Sequence, residues 1–258
     1  MSKITDYNYG VALLTATETE MAAVMRMYDW REKIFDNDSQ IYYEAEFVGG
    51  VGVPIVAARQ NAMGMTAAVT LSTKVIEHFR PRYLMAVGIA AGVALEDTEE
   101  QIYGDVVVAD EIWDYAAGKF VPPEESQIRY GSVGFQPRPA VIRMNPEVRK
   151  CVERAALSEE NQCHVLIGAI ATGNAVVANR EILEKQIRSQ NYHTAALDME
   201  AYGVAYAARN ATAPRPEPIV IKSVSDFADR HKDDRYQKFA AYTAAEFAKL
   251  LLEKYLPM

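Results

Sequence analysis

The sequence is poor in cysteine, in histidine and in net positive charge. Its 258 residues include two cysteines, Cys151 and Cys163, which cannot form a disulfide framework or, without other ligands, a structural zinc site. The four histidines are not spaced as metal ligands, so we expect no metal site. Lys and Arg together number 27 against 35 Asp and Glu, which gives a net charge of −8. This balance argues against a nucleic-acid-binding protein, because affinity for phosphate backbones comes from clustered positive charge.

Long apolar runs are also missing. No stretch approaches the roughly 18 consecutive apolar residues of a membrane-spanning helix. The first six residues, Met1 to Asp6, lack the apolar stretch of a secretory signal peptide. Half of the residues are hydrophobic and 24% are charged, which is ordinary for a globular protein. We therefore expect a cytoplasmic protein that does not associate with membranes.

Short β-branched runs alternate with longer amphipathic runs along nearly the whole chain, and this alternation predicts an α/β fold. Most of the short runs are continuously apolar, as in a sheet that is buried on both faces. The predicted strands are Tyr9–Thr15, Tyr42–Val48, Pro54–Arg59, Tyr83–Val87, Asp105–Ala109, Val165–Ala171, Thr194–Asp198 and Pro218–Val224. The predicted helices are Glu18–Tyr28, Met63–Phe79, Pro146–Leu157, Asn179–Ser189, Glu200–Asn210 and Tyr236–Leu256.

The segment Trp113–Asn145 differs from the rest, because it carries four prolines and three glycines and shows no clear period. We predict that it is an irregular loop, either at an active site or interface or disordered. Within it, Trp113 and Tyr115 are expected to pack in the core rather than to form a partner-facing flap. No repeat or change of composition marks a boundary, so we expect one domain over residues 1–258.

Acidic residues follow three of the predicted strands, where open α/β sheets bind their ligands. Glu20 follows the first strand, Glu200 the seventh and Asp226 the eighth. Each has a structural alternative: Glu20 can complete a capping box with Thr17, Glu200 can be an acid at a helix start, and Asp226 can be a helix cap. We favour a functional role because the three acids can converge on one cleft of one sheet.

Five short motifs, in order along the chain, carry a resemblance to a known family. They are Val87–Val93, Gly104–Asp110, Ala171–Asn174, Leu197–Ala201 and Val224–Asp229, and the last two are the most specific. With the long last helix, they make the chain resemble the nucleoside phosphorylase and nucleosidase superfamily from about Tyr9 to Leu252. Within it, the chain is most similar to methylthioadenosine/S-adenosylhomocysteine nucleosidases and related nucleosidase-like domains. The fold we expect is a three-layer α/β/α domain around a central, mixed, twisted sheet.

The resemblance implies a role for each acid in breaking a purine N-glycosidic bond. Asp226, oriented by Ser225, matches the aspartate that faces purine N7 and assists the departing base. Glu200 matches the glutamate that accepts hydrogen bonds from the ribose 2′- and 3′-hydroxyls, with Met199 packed against the sugar. Glu20 matches the acid that activates water in the hydrolytic branch. The chemistry so implied is hydrolysis of a purine, most simply an adenine, nucleoside or nucleotide, with release of free base and no organic cofactor.

The same resemblance assigns further contacts. The backbone of Val177 matches the position that reads the edge of the base, Ala90 lies in the glycine-rich loop beside the site, and Tyr236 matches an aromatic that closes over the ligand. Family members are usually dimers or hexamers, so the resemblance also implies a homo-oligomer.

Two alternatives remain open. Phosphorolytic members grip phosphate with an arginine and a serine, and the corresponding residues here are Ala86 or Val87 and Ile89, which cannot hold an anion. Water is therefore the expected nucleophile, with a purine nucleoside phosphorylase as the enzymatic alternative. A catalytically silent purine-nucleotide sensor is the non-enzymatic alternative, although it has no need for all three acids.

The 5′ substituent of the substrate is suggested by two departures from the family pattern. Val176 replaces the aromatic residue of the methylthioadenosine enzymes, so stacking on the base is weaker or comes from elsewhere. A charged run, Asp229–Arg235, stands where those enzymes need an apolar 5′ pocket. It is either a solvated loop with internal salt bridges or a phosphate site in which Arg230 and Arg235 bind a nucleotide.

Overall fold

The computed structural model of the protein describes residues 6–47, 52–93, 101–229 and 234–257. The strands in these ranges are β1 (Tyr9–Thr15), β2 (Arg31–Phe35), β3 (Asp38–Phe47), β4 (Val53–Arg59), β5 (Pro81–Gly92), β6 (Val106–Asp114), β7 (Gly118–Val121), β8 (Arg129–Tyr130), β9 (Val133–Pro137), β10 (Val141–Arg143), β11 (Val165–Thr172), β12 (Thr194–Asp198) and β13 (Glu217–Asp226). The helices are α1 (Glu18–Val24), α2 (Met65–Phe79), α3 (Pro146–Ala156), α4 (Arg180–Ile182), α5 (Ala201–Asn210) and α6 (Gln237–Lys254). None of the helices in the described ranges has both the length and the apolar character needed to cross a membrane.

Ten of the strands form one mixed sheet in the order β10-β6-β11-β12-β5-β1-β4-β3-β2, with β13 paired to both β5 and β6. The central pairs β1–β4, β1–β5 and β13–β5 are parallel, whereas β12–β5 and β13–β6 are antiparallel. Because β13 joins β5 to β6, the strands β5, β12, β11, β6 and β13 close into a circuit. The predicted mixed central sheet is confirmed, and one side of it curls into this closed arrangement.

Helices cover both faces of the sheet, as the alternation of side chains along β1 illustrates. Val11 and Leu13 point into a core formed with α1, α3 and α6, whereas Ala12 and Leu14 point into a second core formed with α2 and α5. Successive residues of a strand face opposite sides, so a strand that is apolar throughout can serve both cores. The predicted three-layer architecture is therefore confirmed.

The predicted boundaries agree best where the strand is buried on both faces. The predictions for β1 and β12 match to the residue, and every other predicted strand overlaps an observed one, although Val48 lies outside the described residues. The strand β2 was not predicted, because it lies at the sheet edge and its sequence begins Arg-Glu-Lys. Charged residues are a common feature of edge strands, which must resist pairing with other chains.

Two predicted helices differ from the observed ones. The helix predicted over Glu18–Tyr28 ends at Val24, where Met25 forms its C-terminal cap. The helix predicted over Asn179–Ser189 begins as the single turn α4 and continues as a π-helical stretch, Leu183–Arg188. The π-helical stretch is only six residues long, which is too short for the sequence pattern to distinguish it from an α-helix.

The prediction of an irregular segment over Trp113–Asn145 is wrong. The segment holds the end of β6, the strands β7, β9 and β8 of a separate antiparallel sheet, and β10, which pairs with β6. Phe120, Tyr130 and Phe135 pack together on this small sheet with ring centroids 5.3 to 6.1 Å apart. Its strands are only two to five residues long, too short for a period to show in the sequence.

Close packing of α2 against α5 gives a test of the fold. A Cβ atom on Gly203 would lie 2.6 Å from the carbonyl oxygen of Met65. We expect Gly203→Ala to lower the free energy of unfolding by about 1–3 kcal/mol, because overpacking outweighs the better helix propensity of alanine. Urea unfolding measures the change, and Tyr206→Phe on the exposed face of α5 should alter it by less than about 0.5 kcal/mol. Equal stability of Gly203→Ala and the unaltered protein would contradict this packing.

Candidate active site

A cavity of about 280 Å³ lies at the carboxyl ends of β1, β11, β12 and β13 and beside the end of β5. The parallel pairs of β5 with β1 and β13 bring the ends of these strands together, and the closed circuit of strands brings the ends of β11 and β12 to the same cavity. Glu20, Glu200 and Asp226 all line this cavity, and their exposed fractions are 2%, 8% and 4%. The remaining described lining residues are Ala16, Thr17, Met63, Ile89, Ala90, Ala91, Tyr115, Ala175, Val176, Val177, Leu197, Asp198, Met199, Ser225, Asp234 and Gln237.

Glu20 is held by three backbone N–H groups. Its Oε2 accepts hydrogen bonds from the amides of Ala16 at 2.7 Å and Thr17 at 2.8 Å, and its Oε1 accepts one from Ile89 at 2.8 Å. The predicted capping box is confirmed, since the Thr17 hydroxyl in turn accepts from the Glu20 amide. A Cβ on residue 88 would lie 2.1 Å from Oε1, so Gly88 is required for this approach. Glu20 thus caps α1 and faces the cavity at the same time.

Glu200 precedes α5, but it does not cap the helix with its side chain. Asp198 does so: its Oδ2 accepts hydrogen bonds from the amide of Ala201 at 2.8 Å and that of Glu200 at 3.3 Å. Thr172 donates its hydroxyl to the other oxygen of Asp198 at 2.8 Å. The carboxylate of Glu200 therefore turns to the cavity, where Oε1 accepts from the amide of Gly64 at 2.9 Å.

Lys222 is a buried cation that the sequence prediction missed. Its Nζ lies 3.1 Å from Oδ2 of Asp198 and 3.5 Å from Oε2 of Glu200, and the residue is 2% exposed. Burial alone would lower the pKa of Lys222, but the charges of Asp198, Glu200 and Glu20 outweigh it and hold this pKa well above its usual value. Burial raises the pKa of Glu200, and Lys222 opposes that rise. A lone lysine in the apolar run of β13 was the available sequence signal, because such a charge needs a buried partner.

Asp226 ends β13 and is fixed from both sides. The hydroxyl of Ser225 donates to its Oδ2 at 3.1 Å, and the amide of Ala228 donates to its Oδ1 at 3.1 Å. Ala228 has a φ of +53°, a left-handed conformation that is uncommon for alanine. This turn directs the Ala228 amide back towards Asp226. The strained conformation of Ala228 thus provides a hydrogen bond that holds the carboxylate in place.

Of the other predicted site residues, Met199, Ser225, Val177 and Ala90 line the cavity, and two do not. The ring of Tyr236 is stacked on Tyr103 with centroids 3.9 Å apart, which keeps it out of the described cavity wall. Arg235 is also absent from that wall, and its guanidinium lies 6.0 Å from the centroid of the Tyr236 ring. Arg230 lies outside the described residues.

The cavity wall carries negative charge. Among the described residues that form it are five carboxyl side chains and no lysine or arginine, and Lys222 lies just behind it. The five are Glu20, Asp198, Glu200, Asp226 and Asp234. Such a site favours positive charge that develops on a bound molecule and disfavours an anion.

Comparison with known protein families assigns a chain with this fold and site to a class. Residues 11–257 match the phosphorylase superfamily. The chain belongs to this superfamily.

The individual relatives have low sequence identity to this chain. The chain is 31% identical to an uncharacterized protein from Sinorhizobium fredii, over 92% of this chain and 58% of that protein. It is 25% identical to the ATP nucleosidase Cap17 from Escherichia coli, over 91% of this chain and 49% of that protein. The chain thus spans about half the length of these relatives. The fold is similar to that of 5′-methylthioadenosine/S-adenosylhomocysteine nucleosidase from Neisseria meningitidis, with a TM-score of 0.75, 24% identity and coverage of 95% of this chain and 98% of that one.

Removal of the buried cation tests the charge arrangement. We expect Lys222→Met to lower the free energy of unfolding at pH 7 by about 3–5 kcal/mol, because two buried carboxylates lose their counter-charge. The loss should shrink as the pH falls, since Glu200, whose pKa is raised by burial, takes up a proton and no longer needs the lysine. Urea unfolding at pH 7 and pH 5 measures both effects. Lys249→Met is the control, because Lys249 is 4.0 Å from Glu253 at the surface and should contribute less than about 1 kcal/mol. A loss that grows in acid would contradict the arrangement.

Proposed function

We propose that this chain hydrolyses the N-glycosidic bond of an adenine nucleoside or nucleotide and releases the free base. The observation that carries the proposal is that Glu20, Glu200 and Asp226, which are far apart in sequence, line one cavity. Breaking this bond requires help for the departing base, stabilisation of a cationic ribosyl group and a nucleophile at the anomeric carbon. The three carboxyl groups can supply one requirement each.

Asp226 assists the leaving base. As the bond between C1′ and N9 breaks, its electron pair moves into the purine, and a proton or hydrogen bond from Asp226 to N7 stabilises the resulting charge. Ser225 and the Ala228 amide hold the carboxyl group in place for this task. The backbone of Val177 and the loop at Ala90 line the same cavity and are proposed to contact the base.

Glu200 binds the ribose. A carboxylate can accept hydrogen bonds from two adjacent hydroxyls, and Lys222 favours the charged form of Glu200 that does so. Its negative charge, with that of Glu20, also stabilises the positive charge that develops on the sugar. Met199 lies beside Glu200 in the cavity wall and is proposed to pack against the ribose.

Glu20 takes a proton from the attacking water, whose oxygen forms the new bond to C1′. Its position also argues against phosphate as the nucleophile. The amides of Ala16, Thr17 and Ile89, which could bind an anion, already donate to Glu20. The Glu20 carboxylate at that place would also repel phosphate, so hydrolysis is favoured over phosphorolysis.

Assays of base release test this chemistry. We expect the protein to release adenine and free ribose, with or without added phosphate, and no ribose 1-phosphate. Asp226→Asn and Glu20→Gln should each lower kcat by about 10²- to 10⁴-fold, because each removes a proton donor or acceptor. Chromatography of the base and the sugar measures both. Glu18→Gln, on the exposed side of α1, is the matched control and should retain activity.

Three other results would contradict the proposal. Ribose 1-phosphate that appears only with phosphate would indicate a phosphorylase. Calorimetric binding of adenosine or ATP without release of base would indicate a sensor. Unchanged kcat in Asp226→Asn would mean that the acid is structural.

We further propose that the substrate is a 5′-phosphorylated adenine nucleotide. The similarity to an ATP nucleosidase and the basic residues of the run 229–235 support this choice. The described cavity wall has no lysine or arginine for a phosphate, and we propose that Arg230 and Arg235 of that run bind it.

Substitution of the two arginines tests the 5′ group. Arg230→Ala combined with Arg235→Ala should lower kcat/KM for ATP or AMP by about 10- to 100-fold, the range expected for charge-assisted hydrogen bonds. Cleavage of adenosine should be unchanged, and Arg209→Ala, at the end of α5, is the control. Equal losses on nucleosides and nucleotides would reject a phosphate role. Each assay should be run with and without Mg²⁺, because free and metal-bound ATP differ in charge.

A further inference from the structure

Tyr115 is the one aromatic side chain among the described residues that line the cavity. It comes from the segment after β6, not from one of the five sequence motifs. Tyr115 is 8% exposed, whereas Val176, which follows in the loop after β11, is 56% exposed and aliphatic. Purine bases are commonly bound by stacking on aromatic side chains. If a ring stacks on the base within the described part of this cavity, Tyr115 is the residue that can provide it.

Tyr115 is held rigidly by the loop that follows β11. Its amide donates to the carbonyl of Thr172 at 3.1 Å, and its hydroxyl donates to the carbonyl of Ala175 at 3.3 Å. Gln190 donates its side-chain amide to the carbonyl of Tyr115 at 3.1 Å. A Cβ on Gly173 would lie 2.1 Å from the ring, so the glycine allows the loop to pass directly over it. The ring and the loop are therefore fixed relative to each other.

The surroundings of the ring identify the end of the cavity that it occupies. Tyr115 belongs to an apolar cluster that includes Leu197 and Ala228, with Ala91 and Val177 packed against it. Ala228 donates to Asp226, and Val177 is proposed to contact the base. The ring thus lies with the residues assigned to the base, while Glu200 is held from the other side by Gly64 and Lys222.

We propose that Tyr115 binds the purine base: its ring forms the aromatic wall of the base pocket, and its hydroxyl, through Ala175, sets the position of the Val177 backbone. This inference rests on the proposed function, since it concerns the base that the enzyme would release. It assigns to Tyr115 the stacking role that Val176 cannot fill.

Binding of free adenine tests the proposal without requiring catalysis. We expect Tyr115→Leu to weaken adenine binding about tenfold or more by calorimetry, because stacking is lost. The KM for the nucleoside should rise by a similar factor, with a smaller change in kcat. Tyr115→Phe keeps the ring but loses the bond to Ala175, and it should weaken binding by only a few fold. Affinity is measured on folded protein, so a lower stability of Tyr115→Leu does not affect the comparison. Tyr115→Phe preserves most of the packing and provides a second variant that is expected to fold.

Tyr130 provides the matched control. It is a half-buried tyrosine of the same segment, but it packs on Phe135 and does not line the described cavity. Tyr130→Leu and Tyr130→Phe should leave adenine affinity and KM unchanged.

The outcomes separate this inference from the proposed function. If the unaltered protein releases base while Tyr115→Leu binds adenine as tightly as it does, the role of Tyr115 is overturned and the hydrolysis stands. If the unaltered protein neither releases base nor binds adenine, the proposed function fails, and this inference fails with it.

Discussion

The burial of Lys222 between Asp198 and Glu200 is the interaction on which the site depends. Ions are costly to bury, and the cost is met only when counter-charges and hydrogen bonds surround them. Here the lysine comes from β13, Asp198 ends β12, and Glu200 stands at the start of α5. The side chains can meet only if both strands are in register and the helix begins at the right residue. An ion cluster of this kind therefore ties the position of the Glu200 carboxylate to the assembly of the sheet itself.

The same atoms serve the fold and the cavity throughout. Glu20 closes the first turn of α1 and faces the cavity, and Asp198 caps α5 so that Glu200 does not have to. For these acids, the structural and functional interpretations of the sequence are therefore not alternatives. A capping box explains why a glutamate can stand at position 20, but it does not explain why Gly88 leaves room for its carboxylate and why the amide of Ile89 reaches across from β5. Those contacts are not part of the helix cap, and they fix the Glu20 carboxylate at the edge of the cavity.

Much of this arrangement could be predicted from the sequence, and the rest could not for physical reasons. Buried strands such as β1 and β12 are apolar throughout, so their limits are visible. The edge strand β2 is charged, and the small sheet of β7, β8 and β9 is too short to show a period. The shared cavity of the three acids followed from their places at strand ends. Lys222 was not assigned a role and Tyr115 was assigned only to the core, because the positions of both depend on neighbours that are distant in sequence: Asp198 for the lysine, and the loop after β11 for the tyrosine.

The charge of the cavity bears directly on which substrate can be cleaved. Five carboxyl groups in the described wall provide a negative field that would stabilise the ribosyl cation of the proposed reaction without rearrangement of solvent. That field repels a polyphosphate, so a nucleotide can be accommodated only if its 5′ end extends away from the acids, towards residues of positive charge. Asp234, within the charged run of residues 229–235, and Gln237, at the start of α6, line the cavity. In the proposed function, this short stretch would distinguish nucleotides from nucleosides, whereas the acids at the strand ends would act on the glycosidic bond.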